Sequence, residues 1–132
     1  EIGIEVDINN TLDVNEVVQD ASAWDVYAMA NVQAPTGDPE YWFRVFALSD
    51  SAKNQGKYSN AQLDALDEQL SQEFDTAKRA DLAVQMQQIL LDDNAFVFCS
   101  FLKMSMISRS NVSNYTSHAC DYYQITADLD IE

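Results

Sequence analysis

The order of hydrophobic patterns in the first 32 residues is the feature that most constrains the fold. The opening stretch EIGIEVDINN alternates between apolar and polar residues, which is typical of a half-buried strand. Helical spacing follows over residues 14–21, where Asp13 and Glu16 match a capping box. The stretch WDVYAMANV is then apolar on both faces, as a strand of a parallel sheet is. This order predicts a βαβ unit with a right-handed crossover.

Three further helices are predicted downstream from their start signals. Asp38 before Pro39 is a favourable helix opening, and that helix is expected to end at about Leu48. Ser59 with Gln62 predicts the start of the next helix, and Asp75 predicts the start of the last. Their expected inward-facing residues are Leu63, Leu66, Leu70 and Phe74 in one helix, and Leu82, Met86, Ile89 and Leu90 in the other. The join between them is so short that the pair should form a helical hairpin.

The remaining chain predicts two more strands. NAFVFCSFL is a continuous apolar run of strand length, and QITADLDIE alternates, with Ile125, Ala127, Leu129 and Ile131 on one face. The expected fold class is therefore α/β, a small mixed sheet with helices packed on it, in a single domain over residues 1–132. Cys99 lies in an apolar run and is expected to be buried; a Cys99–Cys120 bridge stays open because spacing does not fix its geometry.

Charge excludes two classes of partner. The chain has 22 acidic against 7 basic residues, a formal net charge of −15, which repels nucleic acid and anionic membrane surfaces. Its longest apolar runs fall short of the roughly 20 residues that a membrane span needs. Because the sequence opens with Glu1 directly on a strand-like pattern, we expect a piece of a longer protein.

Catalytic and metal-site patterns are sparse. His118 is the only histidine, and the sequence contains no GxSxG, P-loop or GxGxxG motif, so we expect no enzyme, no catalytic residue and no cofactor. A closed zinc site uses four nitrogen or sulfur ligands, and this chain offers only three such side chains, so no closed metal site is predicted. An open nickel or zinc site that also uses carboxylates is the alternative. His118 is kept as a candidate ligand contact; the alternative is a surface histidine in a loop.

Polar groups after the second predicted strand are the other candidates for ligand binding. Open α/β sheets bind ligands beyond the carboxyl ends of their strands. At that point the sequence places Asn31, Gln33 and Thr36. These groups would orient a ligand by hydrogen bonding, or would instead satisfy the backbone of their own loop.

Three ordered stretches resemble the family-5 extracytoplasmic solute-binding proteins, the peptide and nickel receptors of ABC importers. The stretches are GIEVDINN, WDVYAMANVQAPTGDPEYWF, and GKYSNAQLDALDEQLSQEFDTAKRADLAVQMQQILLDDNAFVFCSFLKMSMISRSNVSNY. The GDPEY, YSN and DYY motifs are most similar to nickel and metallophore receptors. Pro35 stands where peptide receptors place an aspartate, and some nickel receptors share the dipeptide Ala34–Pro35.

The resemblance implies a partial second lobe of a two-lobed receptor, in which about residues 103–132 lead toward the hinge and the first lobe. It implies capture of nickel, a metal–chelator complex or a small peptide, delivery to an ABC permease, and an extracytoplasmic location in the periplasm or as a lipoprotein. Two alternatives remain: the ligand-sensing domain of a regulator, and a self-contained protein-interaction domain. Unpaired sheet edges in such a fragment should also promote dimers.

Overall fold

A computed structural model describes residues 2–103, 105–118 and 125–131 of the chain. Within these ranges the chain forms four α-helices, one π-helical segment and two short strands. It divides into two compact units, Glu1–Phe96 and Val97–Glu132, and all the helices lie in the first. None of the helices in the described ranges is both long enough and apolar enough to cross a membrane.

A helical hairpin forms the core of the first unit. Helix α3 spans Ala61–Gln72 and helix α4 spans Thr76–Asp92. The buried side chains that join them are Leu63, Leu66, Leu70, Ala83, Met86 and Leu90. Each large apolar side chain buried here contributes about 1.5–3 kcal/mol to stability. The predicted hairpin is confirmed, and so are its predicted inward-facing residues other than Phe74, with Leu82 and Ile89 half-buried against the same core.

Side-chain caps fix where both hairpin helices begin. The Asn60 Oδ1 atom accepts hydrogen bonds from the backbone amides of Gln62 and Leu63, so Asn60 is the N-cap and the prediction of Ser59 is wrong by one residue. Asp75 caps α4 as predicted, because its Oδ1 atom accepts from the Lys78 amide at 3.0 Å.

Phe74 does not belong to the buried stripe. Its side chain is 92% exposed, because α3 ends at Gln72 and Glu73 adopts an extended backbone. The helical spacing that would carry Phe74 onto the inner face therefore stops two residues earlier.

The helix predicted from Pro39 to about Leu48 is present in two parts. Helix α2 spans Glu40–Trp42 and continues as a π-helix over Phe43–Ala47. The Leu48 amide donates to the Phe43 carbonyl at 3.1 Å, the five-residue step that defines this wider helix. Its buried residues, Phe43 and Ala47, pack on the hairpin core.

The strands predicted over residues 2–8, 24–32 and 94–102 are not formed, so the βαβ unit and its crossover are absent from the described chain. Ile2, Ile4, Val97 and Phe101 are largely exposed. A strand is stable only beside another strand that completes its hydrogen bonds, and the described ranges place none beside these segments. The intervening helix does form, as α1 over Val14–Gln19, although Asp13 makes no side-chain cap hydrogen bond.

The second unit contains one antiparallel strand pair where the sequence predicted part of a mixed sheet. Strand β1 spans Val112–Ser113 and strand β2 spans Asp130–Ile131. Val112 pairs with Ile131 and Ser113 with Asp130. Among the described residues, the strand predicted at the end of the chain is formed over Asp130–Ile131, and Ile125 and Ile131 are exposed.

Cys99 is an exposed free thiol, which corrects the prediction that it is buried. The correction follows from the missing strand: without a paired strand at 94–102, the side chain is not carried into a sheet face. Cys120, its predicted partner in a bridge, lies outside the described residues.

Candidate functional site

Three of the four predicted ligand contacts lie on one loop, residues 31–37 of the first unit. Asn31 is half-buried, whereas Gln33 and Thr36 are exposed. The loop closes as a tight turn, because the Gly37 amide donates to the Ala34 carbonyl at 3.0 Å. Thr36 lies at the tip of that turn.

Two features of the local sequence produce the turn. Pro35 occupies its second position, where a fixed φ near −65° is favourable. Gly37 ends the turn with φ of +80°, a conformation that a side chain would disfavour. The polar groups of the loop are thereby presented on a defined backbone.

A network of five charged side chains follows the loop directly: Asp38, Glu40, Arg44, Asp67 and Arg79. We call it the anchor network. The Arg79 Nη2 atom donates to both carboxylate oxygens of Asp38 at 2.8 Å and to Glu40 Oε2 at 3.0 Å. Its Nη1 atom donates to the carbonyls of Leu70 and Glu73 at 2.6 and 2.8 Å. One guanidinium thus joins the end of the loop to the end of α3.

Glu40 extends the network to the middle of α3. Its second oxygen, Oε1, lies 3.0 Å from Arg44 Nη2, which also contacts Asp67 Oδ2 at 3.1 Å. Glu40 therefore bridges the two arginines. The three carboxylates and two guanidiniums have a combined formal charge of −1, so the network is not fully neutralised.

Burial and hydrogen bonding shift the acids of this network in opposite directions. A hydrogen bond from the Glu40 amide, reinforced by Arg79, lowers the pKa of Asp38. Burial raises the pKa of Asp67 even though Arg44 opposes that shift. Asp67 is 4% exposed, and among the described residues its Oδ1 atom has no hydrogen-bond partner. An unpaired buried carboxylate oxygen is costly, so Asp67 is the least relaxed member of the network.

A second polar cluster holds the segment after the π-helix. Buried Asn54 donates from Nδ2 to the carbonyls of Leu48 and Tyr58, and its Oδ1 accepts from the Tyr58 amide. The Tyr58 hydroxyl donates to Asp93 Oδ2 at 2.6 Å, and Asn60 Nδ2 donates to the same oxygen at 2.8 Å. Burial, together with Asp93, raises the pKa of Tyr58 to about 12. This cluster ties the end of α4 to the start of α3.

His118, the fourth predicted contact, lies in the second unit and is exposed. Across residues 2–103, 105–118 and 125–131, no group of three or more His, Cys, Asp or Glu side chains could hold a metal ion.

A surface groove of about 510 Å³ lies along the hairpin, away from the loop, and is lined by Gln69, Gln72, Glu73, Lys78, Asp81, Leu82 and Gln85. None of the predicted ligand contacts lines this groove.

The anchor network was not anticipated from the sequence, although one signal was present. Asp67 lies four residues after Leu63 and three before Leu70, on the same buried face of α3. A carboxylate at that position of an apolar stripe must find a cation, and Arg44 is that cation.

No family model matches the chain, but a curated protein and a solved structure do. The chain is 29% identical over 112 residues to the nickel-binding protein NikA of Staphylococcus aureus, covering 85% of this chain and 23% of that protein. The crystal structure of S. aureus NikA in complex with Ni(L-His)2 matches with a TM-score of 0.78 at 25% identity, covering 97% of this chain and 28% of that one.

The chain is thus homologous to a segment of NikA and spans about a quarter of the length of the relative it matches. The resemblance to family-5 solute-binding proteins is confirmed by both sequence and structure. The predicted fold class, a fragment of an α/β fold, is confirmed by the same match, which is consistent with part of the second lobe.

Proposed function

We propose that this chain is part of the solute-binding component of an ABC importer, which captures nickel, a metal–chelator complex or a small peptide and delivers it to a membrane permease. The observation that carries the proposal is the structural match, over 97% of the chain, to a protein crystallised with Ni(L-His)2. The role is binding, with no catalysis.

Among these solutes, a metal already held by a small chelator fits the described residues best. They contain no cluster of side chains that could hold a bare ion. Loop 31–37 instead offers the amides of Asn31 and Gln33 and the hydroxyl of Thr36, which suit the carboxylate and amine groups of a chelator. His118 is proposed as a further contact.

The domain organisation follows from the same proposal. Residues 1–132 are part of one lobe, with about residues 103–132 leading toward the hinge and the other lobe. The two lobes close on the solute by a hinge motion, and the closed form is the one that the permease accepts. The receptor is extracytoplasmic, either in the periplasm or as a surface lipoprotein.

Titration calorimetry on the complete receptor tests this function. Nickel chloride alone, nickel with two equivalents of L-histidine, and short peptides are titrated separately into the protein. Binding of the nickel–histidine complex, tighter than binding of nickel alone, is expected. If only the peptides bind, the solute is a peptide and not a metal complex. If none of the three binds, the proposal is overturned.

The 132-residue chain alone is expected to self-associate. Residues 2–8 are exposed and form no strand within the described ranges, and a segment with such an alternating pattern pairs readily with a second copy. Sedimentation over a range of protein concentrations checks this. A strictly monomeric, cooperatively folded chain would instead favour a self-contained domain.

A further inference from the structure

We propose that Arg79 is a positioning residue for the solute site: its guanidinium fixes loop 31–37 relative to the helical hairpin. The inference rests on the proposed function, because the loop matters only if it meets a solute. Arg79 lies on α4 and not on the loop, so it would act through Asp38 without touching the solute.

The fixed side of this arrangement is the end of α3. The last carbonyls of a helix lack their usual amide donor four residues ahead. The Leu70 carbonyl accepts from the Glu73 amide at 3.3 Å, and both it and the carbonyl of the C-cap Glu73 accept from Arg79 Nη1. A cation is also favourable at this end of the helix dipole. The Arg79 side chain is only 17% exposed, so it is held in place from several sides.

The positioned side is Asp38, the residue that directly follows the loop. Both of its carboxylate oxygens bind Arg79 Nη2, and Oδ1 also accepts from the Glu40 amide at 2.9 Å. Gly37, one residue earlier, closes the turn that carries Thr36. The guanidinium is therefore linked to the turn through a single residue, with little backbone freedom between them.

Loss of Arg79 should affect the loop more than the helices. Glu40 would keep its ion pair with Arg44, which in turn keeps Asp67, so α2 stays attached to α3. The hairpin would keep its apolar core of Leu63, Leu70 and Met86. Asp38, by contrast, would keep only its bond with the neighbouring Glu40 amide. The substitution should therefore increase the mobility of the loop and not that of the helices.

Arginine is required for this role, since its planar fork binds several acceptors in fixed directions at once. A lysine at position 79 would keep the charge but could not reach the α3 carbonyls and Asp38 together. Arg79→Lys should therefore restore part of the effect of Arg79→Gln.

The test uses the complete receptor, with nickel and two equivalents of L-histidine as the probe. Arg79→Gln should weaken binding about 10- to 100-fold, as loss of an outer positioning group does at other sites, mainly through faster dissociation. Arg79→Lys should fall between this variant and the unaltered protein. Lys78→Gln removes the same charge from the adjacent exposed residue and should bind as the unaltered protein does.

Amide hydrogen exchange separates positioning from a general loss of stability. In Arg79→Gln, the amides of Gly37 and Glu40 should exchange faster while those of α3 and α4 are unchanged. Equal affinity in Arg79→Gln and the unaltered protein would overturn the positioning role alone. Weaker binding with faster exchange throughout both helices would also overturn it, and no binding by the unaltered protein would overturn the proposed function instead.

Discussion

The guanidinium of Arg79 binds both carboxylate oxygens of Asp38 at 2.8 Å across a separation of 41 residues in sequence. The same guanidinium binds the Leu70 carbonyl, nine residues away in α3. This geometry makes the anchor network a joint between a loop and a helical hairpin, and not a surface ion pair of the kind that contributes little. The stability of the first unit then depends on the hairpin core, its caps and its buried polar groups.

The hairpin core should be sensitive to loss of volume. Met86→Ala removes a fully buried side chain between the two helices and should lower the free energy of unfolding by about 2–5 kcal/mol, because a cavity remains. Leu91→Ala, on the exposed side of the same helix, is the control and should cost less than about 1 kcal/mol. Urea denaturation followed by helical circular dichroism measures both, and equal losses would contradict the assigned core.

Asn60 should matter both as a cap and as a partner of Asp93. Asn60→Ala removes the acceptor for the first-turn amides of α3 and the bond to Asp93, and should cost about 1–2 kcal/mol. Asn60→Ser keeps a capping hydroxyl and should recover about half of that loss. Thermal unfolding compares them; equal melting temperatures for the Ala and Ser variants would show that Asn60 does not act as a cap.

Asn54 should be among the least replaceable polar residues of the first unit. It is 3% exposed and makes three hydrogen bonds to backbone groups of Leu48 and Tyr58. Asn54→Ala removes the bonds to the Tyr58 amide and carbonyl and leaves the Leu48 carbonyl with only the Ser51 amide, and it should cost about 3 kcal/mol. Gln55→Ala, at the adjacent half-buried position, should stay within about 0.5 kcal/mol. Chemical denaturation distinguishes the two, and a tolerant Asn54→Ala would contradict the cluster.

Asp67 should make stability depend on pH in a defined direction. Because burial raises its pKa in the folded state, the folded chain binds the proton more tightly than the unfolded chain does. The ionised Asp67 carboxylate therefore lowers the free energy of unfolding, and this loss grows as the pH rises from the unfolded pKa through the folded pKa. Glu40 and Asp50 shift it the same way, while Arg44 opposes them.

The variant Asp67→Asn removes this titration while keeping the shape of the side chain. Relative to the unaltered chain, the variant should become more stable as the pH rises from the unfolded pKa of Asp67 through its folded pKa. Denaturation at a series of pH values gives the difference. A pH-independent difference, or one that moves against the variant as the pH rises, would show that Asp67 does not bind the proton more tightly when folded. Asp64→Asn, on the same helix, is the comparison.

Helices were predictable here because their signals are local. Asp75 as a cap and the spacing of Leu63, Leu70 and Met86 are visible within one or two turns, and the hairpin formed as expected. The strands were not predictable in this way, because a strand depends on a partner strand that local sequence does not reveal. Residues 2–8 have a clear alternation and yet remain unpaired in the described chain.

The candidate site was likewise predictable only where its signals are local in sequence. The turn that carries Thr36 follows from Pro35 and Gly37, which are neighbours in sequence. The anchor network behind the turn does not follow from neighbouring residues, because Arg79 and Asp38 meet only once the hairpin has formed. Loop 31–37 could therefore be named from the sequence, but what holds it could not.

The cluster that joins Tyr58 and Asn60 to Asp93 has a consequence for the order of folding. It closes the hairpin into a loop whose ends lie 33–35 residues apart, and six of the nine buried residues of the described core lie inside that loop. Contacts of such short range form quickly, because little chain entropy is lost in closing them. We therefore expect the hairpin to form first. The π-helix, the anchor network and finally the turn that carries Thr36 then form against it.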